Sequence, residues 1–366
     1  VTGVVAIGQN AAKGSASTTT GINYTTAVGY NALTALTTGA GNNAVGAYAL
    51  AALTSGARNT VLGYNALATA DGAESDNVVI GYRAMEVVNN SSSGQNVAIG
   101  SYAMSKITTA SVGNCVAIGY NALTGSSATS EDGTIAIGSA ALQALTSGAK
   151  NIAIGYDAMG DALRSYNNVA IGYESLNALA GDDGNNAGGN NIAIGVDSMG
   201  SLNAGVHGDA RANMNIAIGT SAFLAGAMAD SGASVSQGNV CIGHEAAMTT
   251  GTTAQVGITA IGHRALKALT TGVKNTAIGY LAQTSQTTGA RNTVIGYGAM
   301  YTADAGEDFN TVIGSEAGYY INNDASHDNV LIGKNALQGG TGTIKENIAI
   351  GSGTMNGVTS NSQAGT

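Results

Sequence analysis

Apolar and polar positions along this chain recur in one short phrase: a polar residue, a small residue framed by aliphatics, and a glycine. Asn96-Val97-Ala98-Ile99-Gly100 and Asn347-Ile348-Ala349-Ile350-Gly351 are two copies. Nineteen copies, indexed by their glycines from Gly8 to Gly351, follow one another at spacings of 17 to 24 residues, most of them 17 to 19. The residue before the glycine is aliphatic in every copy, and the one before that is Ala in thirteen. Alternation of large aliphatic and small residues over four or five positions is the period of a strand. It predicts one short strand per copy, with the large aliphatic filling a core and the small residue permitting close approach on the other face.

The glycine suits a sharp turn or a near contact that a Cβ would block. Beyond it, Asn31 or Asp157 suits a helix N-cap, and Leu33 with Leu36, Leu50 with Leu53, Leu142 with Leu145 and Leu266 with Leu269 recur at i, i+3. Gly39, Gly56, Gly148, Gly272 and Gly289 then stand where a helix-terminating glycine belongs. A short helical turn is the expectation for many coils. Six Met residues, such as Met85, Met159 and Met300, take the Leu position four after the glycine and are assigned to the core. An Asn stands four before the glycine in fourteen copies, among them Asn42, Asn168, Asn275 and Asn347. Recurrence at one position predicts stacked amides with a structural role.

Self-similarity at this period is the signature of a solenoid. The reading is a single continuous domain over residues 1–366, a mainly β repeat solenoid of about nineteen coils built as a parallel β-roll. At about 4.8 Å per coil the rod would be roughly 90 Å long. Three consecutive spacings of 23, 24 and 24 mark longer-loop coils at about 176–239, with extra loops at 180–190, 200–213 and 225–238. Insertions at one coil position stack on one side; these loops are read as tolerated length drift, with partner binding as the hypothesis they carry. The start at Val1 and the drift from the pattern over 351–366 suggest part of a longer chain.

Composition adds a partner. Charged residues make up 10% of the chain and hydrophobic ones 44%, with 55 Gly and neither Pro nor Trp. A thin single-chain solenoid so poor in charge exposes broad apolar faces. Identical chains with identical patches suit closed cyclic symmetry, and a homotrimer is expected. The net charge of −9 argues against nucleic acid and anionic membranes, which need clustered Lys and Arg. No apolar run approaches the ~20 residues of a membrane-spanning helix. Cys115 and Cys241 lie six coils apart, roughly 29 Å at strand spacing, too far for a disulfide.

No catalytic, cofactor-binding or metal-ligating set emerges, and the chain is not expected to be an enzyme. His244-Glu245-Ala246-Ala247-Met248 lacks the second histidine of a zinc-protease motif, and His207, His263 and His327 share no ligand spacing. No G-x-S-x-G elbow occurs. The stretch 339–344 begins like a calcium-binding nonapeptide, but Ile344 takes the Asp position, and it is read as a turn. Acidic groups gather at Asp71, Glu74 and Asp76; at Glu131 and Asp132; at Asp182 and Asp183; and at Asp304, Glu307 and Asp308. They are read as solvating an uncharged surface, with surface Ca²⁺ as the alternative. Eight tyrosines directly follow the indexed glycine, including Tyr30, Tyr64 and Tyr280. Packing over the coil edge is the reading, with a carbohydrate platform as the alternative. The pairs Thr37-Thr38, Thr270-Thr271 and Thr287-Thr288 fall at turn ends rather than on a flat strand, against an ice-binding array.

The Asn-x-Ala-Ile-Gly phrase, as at 96–100 and 347–351, resembles the head repeats of YadA-type trimeric autotransporter adhesins. That resemblance implies a left-handed parallel β-roll, trimeric about the fibre axis. The segments 171–176 and 261–269 are similar to the neck of those adhesins, where the chain crosses to a neighbouring subunit. The longer form at 275–280 and 292–297 resembles repeats of bacteriophage tail fibres and appendages. The function implied is the structural shaft of a tail fibre or virion appendage, extracellular and presenting attachment to a host-surface carbohydrate or protein receptor. The head region of a bacterial surface adhesin is the second reading, and an extracellular filament subunit the third.

Overall fold

The computed structural model describes residues 2–14, 21–88, 93–106, 112–125, 132–179, 188–201, 211–224, 235–249, 255–339 and 342–358. The chain forms two compact units, Val1–Tyr173 and Glu174–Thr366. Each is a parallel β-solenoid. The first stacks ten three-residue strands, from Val5–Ile7 to Val169–Ile171, and the second nine, from Ile192–Ile194 to Ile348–Ile350. Like pairs with like: Ala136 faces Ala153, and Ile137 faces Ile154. Register is fixed because a slip of one residue would turn every small interior side chain outward.

The structure reverses the expected strand faces. The central residue points inward and is fully buried, as for Ala98, Ala117, Ala153 and Ala277, while the flanking aliphatics lie on the outer face. Across the interior stands the column of Leu33, Leu50 and Leu67, or Met85, Met104 and Met159, all without exposure. A coil of 17 to 19 residues encloses a narrow interior, so a Leu or Met from the turn leaves room only for a small strand residue opposite. Met199 and Met300 are buried as expected, and Met355 is half-buried. In the coil of Gly279 the two core leucines are replaced by buried Gln283 and Gln286, which hydrogen-bond to each other.

No helix forms among the described residues, which corrects the expected helical turns. The residues two and four after the glycine take left-handed φ, 53° at Asn65 and 48° at Leu67. That pattern sends the amides of alternate residues along the solenoid axis in opposite directions, while the one between turns back within its coil, Ala66 N to Gly63 O at 3.5 Å. Asn65 N donates to Ala47 O at 3.0 Å in the preceding coil, and Leu67 N to Ala84 O at 2.9 Å in the next. The donors that stay within the coil reach back three residues, as Leu53 N does to Leu50 O at 3.3 Å, and no i→i−4 run forms. The Leu pairs nonetheless both face the core, because a three-residue step returns to the same side in these turns too; Leu33 and Leu36 are 0% and 1% exposed. The described residues trace about fifteen turns, slightly fewer than the nineteen motif copies. Each copy supplies a strand, but several return loops lie outside the described residues.

The recurrent Asn four before the glycine forms an amide ladder. Asn42, Asn59, Asn77 and Asn96 stack in the first unit, and Asn275, Asn292, Asn310, Asn329 and Asn347 in the second, all buried. Each Oδ1 accepts from the backbone N–H and the Nδ2 of the next Asn, as Asn59 Oδ1 does from Asn77 at 3.1 and 3.0 Å. At Cys115 and Thr134 the ladder is interrupted, and the buried Thr134 Oγ1 has no partner. Thr134→Asn is expected to add one rung to the Asn151–Asn168 stack and raise stability by about 1 kcal/mol, measurable as a higher urea midpoint.

The long coils of the second unit hold a second, smaller parallel ladder, Gly188–Gly189, Arg211–Asn213 and Val235–Gln237. The same position before the Asn carries the strand Ser165–Tyr166 in a 17-residue coil of the first unit, so this strand does not depend on the extra length. Most of the loops that carry the partner-binding hypothesis, residues 180–187, 202–210 and 225–234, lie outside the described residues.

Candidate functional site

The outer sheet face is the broadest feature of each unit. Because the small residue points inward, Val97, Ile99, Val116, Ile118, Ile135 and Ile137 form two adjacent aliphatic columns, partly exposed. No strand residue of this face is charged in either unit. A flat, uncharged, unpaired face of this kind is what a partner covers.

Beside it run aromatic columns. Tyr30, Tyr48, Tyr64, Tyr82, Tyr102 and Tyr120 come from six consecutive coils of the first unit, with neighbouring ring centroids 5.2 to 6.3 Å apart. In the second unit His244, His263, Tyr280 and Tyr297 stack nearly parallel, at 5.1, 4.9 and 5.7 Å. Ring faces in the parallel stacks are turned toward each other, which leaves edges and hydroxyls to solvent. A sugar platform needs free faces, so packing over the coil edge accounts better for the parallel stacks, while four of the five neighbouring pairs of the first unit's column meet edge to face. Desolvation, then the neighbouring Tyr30, pushes the Tyr48 phenol up.

His244 stacks on His263, and Glu245, its neighbour in the broken zinc-protease motif, is instead an ion-pair centre. Lys267 Nζ lies 2.8 Å and Arg264 Nε 2.7 Å from Glu245 Oε2. Lys267 first, then Arg264, holds the Glu245 carboxyl down at about 2. A depressed carboxyl contributes stability that is fully present above the ordinary carboxylate range and is lost as pH falls through about 2. Glu245→Gln is expected to cost about 1 kcal/mol at pH 7, and the difference from wild type should vanish by pH 2 in urea titrations. A constant difference across pH would refute the ion-pair origin.

Both cysteines are buried thiols outside any disulfide, and burial raises the Cys241 thiol. Cys115 sits at the end of the amide ladder, its N–H accepted by Asn96 Oδ1 at 3.0 Å. Residues 340 and 341 of the 339–344 stretch lie outside the described residues, and Ile344 is buried. Thr37 and Thr270 donate their hydroxyls to Thr54 O and Thr287 O, both at 2.8 Å, which makes them rungs between coils.

The acidic loops divide. Glu131, Asp182 and Asp183 lie outside the described residues. Glu74 and Glu307 do not solvate the surface as expected: both are fully buried. Glu74 Oε2 accepts from Gly72 N at 3.0 Å and Glu307 Oε2 from Ala305 N at 3.2 Å, so each carboxylate closes its own loop. Burial raises both carboxyls, with Asp71 and Asp304 adding to the shift. Around Glu307, carboxylate oxygens of Asp304, Glu307 and Asp324 lie within 4.8 Å of one another, the only such trio of potential metal ligands among the described residues. Beside it a cavity of about 290 Å³ is lined by Gly306, Asp308, Phe309, Asp324, His327 and Asp328. Sequence reading singled out Asp304, Glu307 and Asp308 but missed Asp324, Phe309 and the cavity. Asp324 belongs to the next coil, and only the stacking brings it alongside.

No protein-family model, no curated protein and no solved structure matches this chain.

Proposed function

We propose that the chain is a structural fibre shaft that assembles with identical copies as a homotrimer, serving as part of a bacteriophage tail fibre or virion appendage. The uncharged aliphatic face along each stack carries this reading. Each partly exposed Ile or Val that a partner covers contributes up to about 1.5–3 kcal/mol, and the aliphatic before the glycine recurs on every coil. The columns run parallel to the stacking direction, so an identical chain in the same register offers a matching surface along its length. Trimeric cyclic symmetry would bury the face of every copy without leaving a free edge. The resemblance of the repeat to phage fibre repeats supplies the setting, extracellular and directed toward a host surface.

Sedimentation of the wild-type chain at micromolar concentration is expected to give three times the 35.8 kDa chain mass. The double variant Ile118→Asp, Ile137→Asp should sediment as a single chain with its β-sheet circular dichroism retained. A monomeric wild type would overturn the assembly. Gold-labelled antibody should mark thin projections of virus particles; labelled bacterial envelopes would instead favour the adhesin reading.

A further inference from the structure

The outer sheet face of the second unit carries one chemical interruption. Its two columns are the first strand residue of each coil and the aliphatic before the glycine. The second column is Ile in all nine coils, from Ile194 to Ile350. The first column reads Ile192, Ile216 and Val240, then Thr259, Thr276, Thr293 and Thr311, then Val330 and Ile348. Four adjacent coils thus exchange a β-branched aliphatic for its hydroxyl-bearing counterpart, with aliphatics on either side. Thr259 pairs with Thr276, Thr276 with Thr293 and Thr293 with Thr311 in register. The side chains therefore form a straight row with a rung about every 4.8 Å. In the first unit Thr26, Asn43 and Thr60 interrupt the same column.

The row differs from the threonines of the return turns in what its hydroxyls touch. Thr54, Thr69, Thr270, Thr287 and Thr302 donate to carbonyls of the next coil. The four strand threonines are partly exposed, and among the described residues no hydrogen bond holds their hydroxyls. Each also stands two residues from an Ile of the face that the proposed assembly covers. Once covered, a hydroxyl without a partner carries its full desolvation penalty. The row therefore needs a surface that offers hydroxyls at the same spacing. The Ile column of a neighbouring chain offers none, so contact between unlike columns would strand every hydroxyl. Cyclic symmetry supplies the match, because residues beside the rotation axis meet their own copies at the same height. A hydroxyl both donates and accepts, so three threonines at one level close a ring in which each donates to the next.

We propose, resting on the homotrimer reading, that the first strand column of the second unit faces the three-fold axis, where Thr259, Thr276, Thr293 and Thr311 form hydroxyl rings with the same residues of two identical chains and so set their register. The aliphatic positions cannot set it. Ile and Val recur from coil to coil, so a chain displaced by one coil keeps nearly all of its apolar contact along the face. The threonine row answers differently to the same displacement. Thr311 would then stand against Val330 of a neighbouring chain at one end, and Thr259 against Val240 at the other. Each end leaves a covered hydroxyl without a partner. A polar residue at one place in an otherwise apolar seam fixes the register of coiled coils for the same physical reason. Val and Thr share a shape and differ in the hydroxyl, so the row adds this specificity without altering the packing of the face.

The test is co-refolding of two full chains of distinguishable mass from urea, read by native mass spectrometry. Wild type is mixed with a chain carrying Thr259→Val, Thr276→Val, Thr293→Val and Thr311→Val together. Each should form trimers alone with the same circular dichroism, since the exchanged side chains lie on the outer face. Mixed trimers would leave a hydroxyl without a partner at every level of the row. They are expected at least about tenfold below their random share. A second variant keeps the number of hydroxyls and moves them. Ile216→Thr, Thr276→Val, Thr311→Val and Val330→Thr, made together, match the wild-type row at only two of its four levels in any register. That chain should form trimers with itself and be depleted from mixed trimers in the same direction. Random mixing of wild type with either variant would overturn the hydroxyl rings and leave the homotrimer standing. A monomeric wild type would overturn the homotrimer and the rings with it.

Discussion

Gly155→Ala is expected to lower stability by about 3–5 kcal/mol and to split unfolding of the first unit. Gly155 has φ of 140°, where L side chains are rarely found, and that strain alone costs about 1–3 kcal/mol. An added Cβ would also lie 2.7 Å from the carbonyl carbon of Gly172 and closer still to its oxygen. Backbone cannot step aside there without parting Ile152–Ile154 from Val169–Ile171, which hydrogen-bond in register. A solenoid holds together through nearest-neighbour interfaces, so one broken interface uncouples the coils on either side. Circular dichroism in urea should show an earlier and broader transition. Gly113→Ala is the control: its Cβ would meet Asp132 Oδ1 at 3.5 Å and Gly94 O at 3.6 Å, with no left-handed φ, and should change stability by less than about 0.5 kcal/mol. An unchanged midpoint in Gly155→Ala would show that the glycine column is not needed for stacking.

That column explains which parts of the fold could be read from residues alone. A glycine at one position of every copy, with an aliphatic always before it and an Asn four before in most, marks where strands stack, and the strands appear at those places. Orientation was not legible. In a three-residue strand such as Val97–Ile99, alternation is the same whichever face is inward, and only the width of the coil decides. The Leu33 and Leu36 spacing likewise fits a helical turn and the observed turns equally, since both return to one side after three residues. What separates them is where the amides go, and that depends on neighbouring coils. Glu74 and Glu307 read as surface charge because loops are usually wet, yet each folds back to bond its own loop inside the corner. Asp324 was invisible as a neighbour of Glu307 because the contact crosses coils.

Asn310→Ala is the second large effect. Asn310 Oδ1 accepts from Asn329 N at 3.1 Å and from Asn329 Nδ2 at 2.8 Å, while its Nδ2 donates to Asn292 Oδ1 at 3.2 Å and to Ser326 O at 3.3 Å. Truncation strands the buried Asn329 N–H and removes a donor from two oxygens, at about 1–3 kcal/mol for each group left without a partner. A loss of about 3–4 kcal/mol follows, read as a shift of the urea midpoint. Asn43→Ala, at an exposed strand position one residue beyond the ladder, should change little. The ladder's ends show which half of the arrangement needs an amide. Asn239 Oδ1 still accepts the N–H of Ile258 at 2.9 Å, so the backbone half tolerates any residue in the next coil, whereas the amide–amide half requires Asn. Asn310→Asp therefore separates shape from donors. The carboxylate keeps the size and both acceptors but turns a buried charge toward Asn292 Oδ1 and Ser326 O, which only accept. It should destabilise more than Ala at neutral pH and recover as acid protonates it, because the added proton restores one donor and removes the charge. If Asp and Ala were equally destabilising at every pH, the ladder would be packing alone.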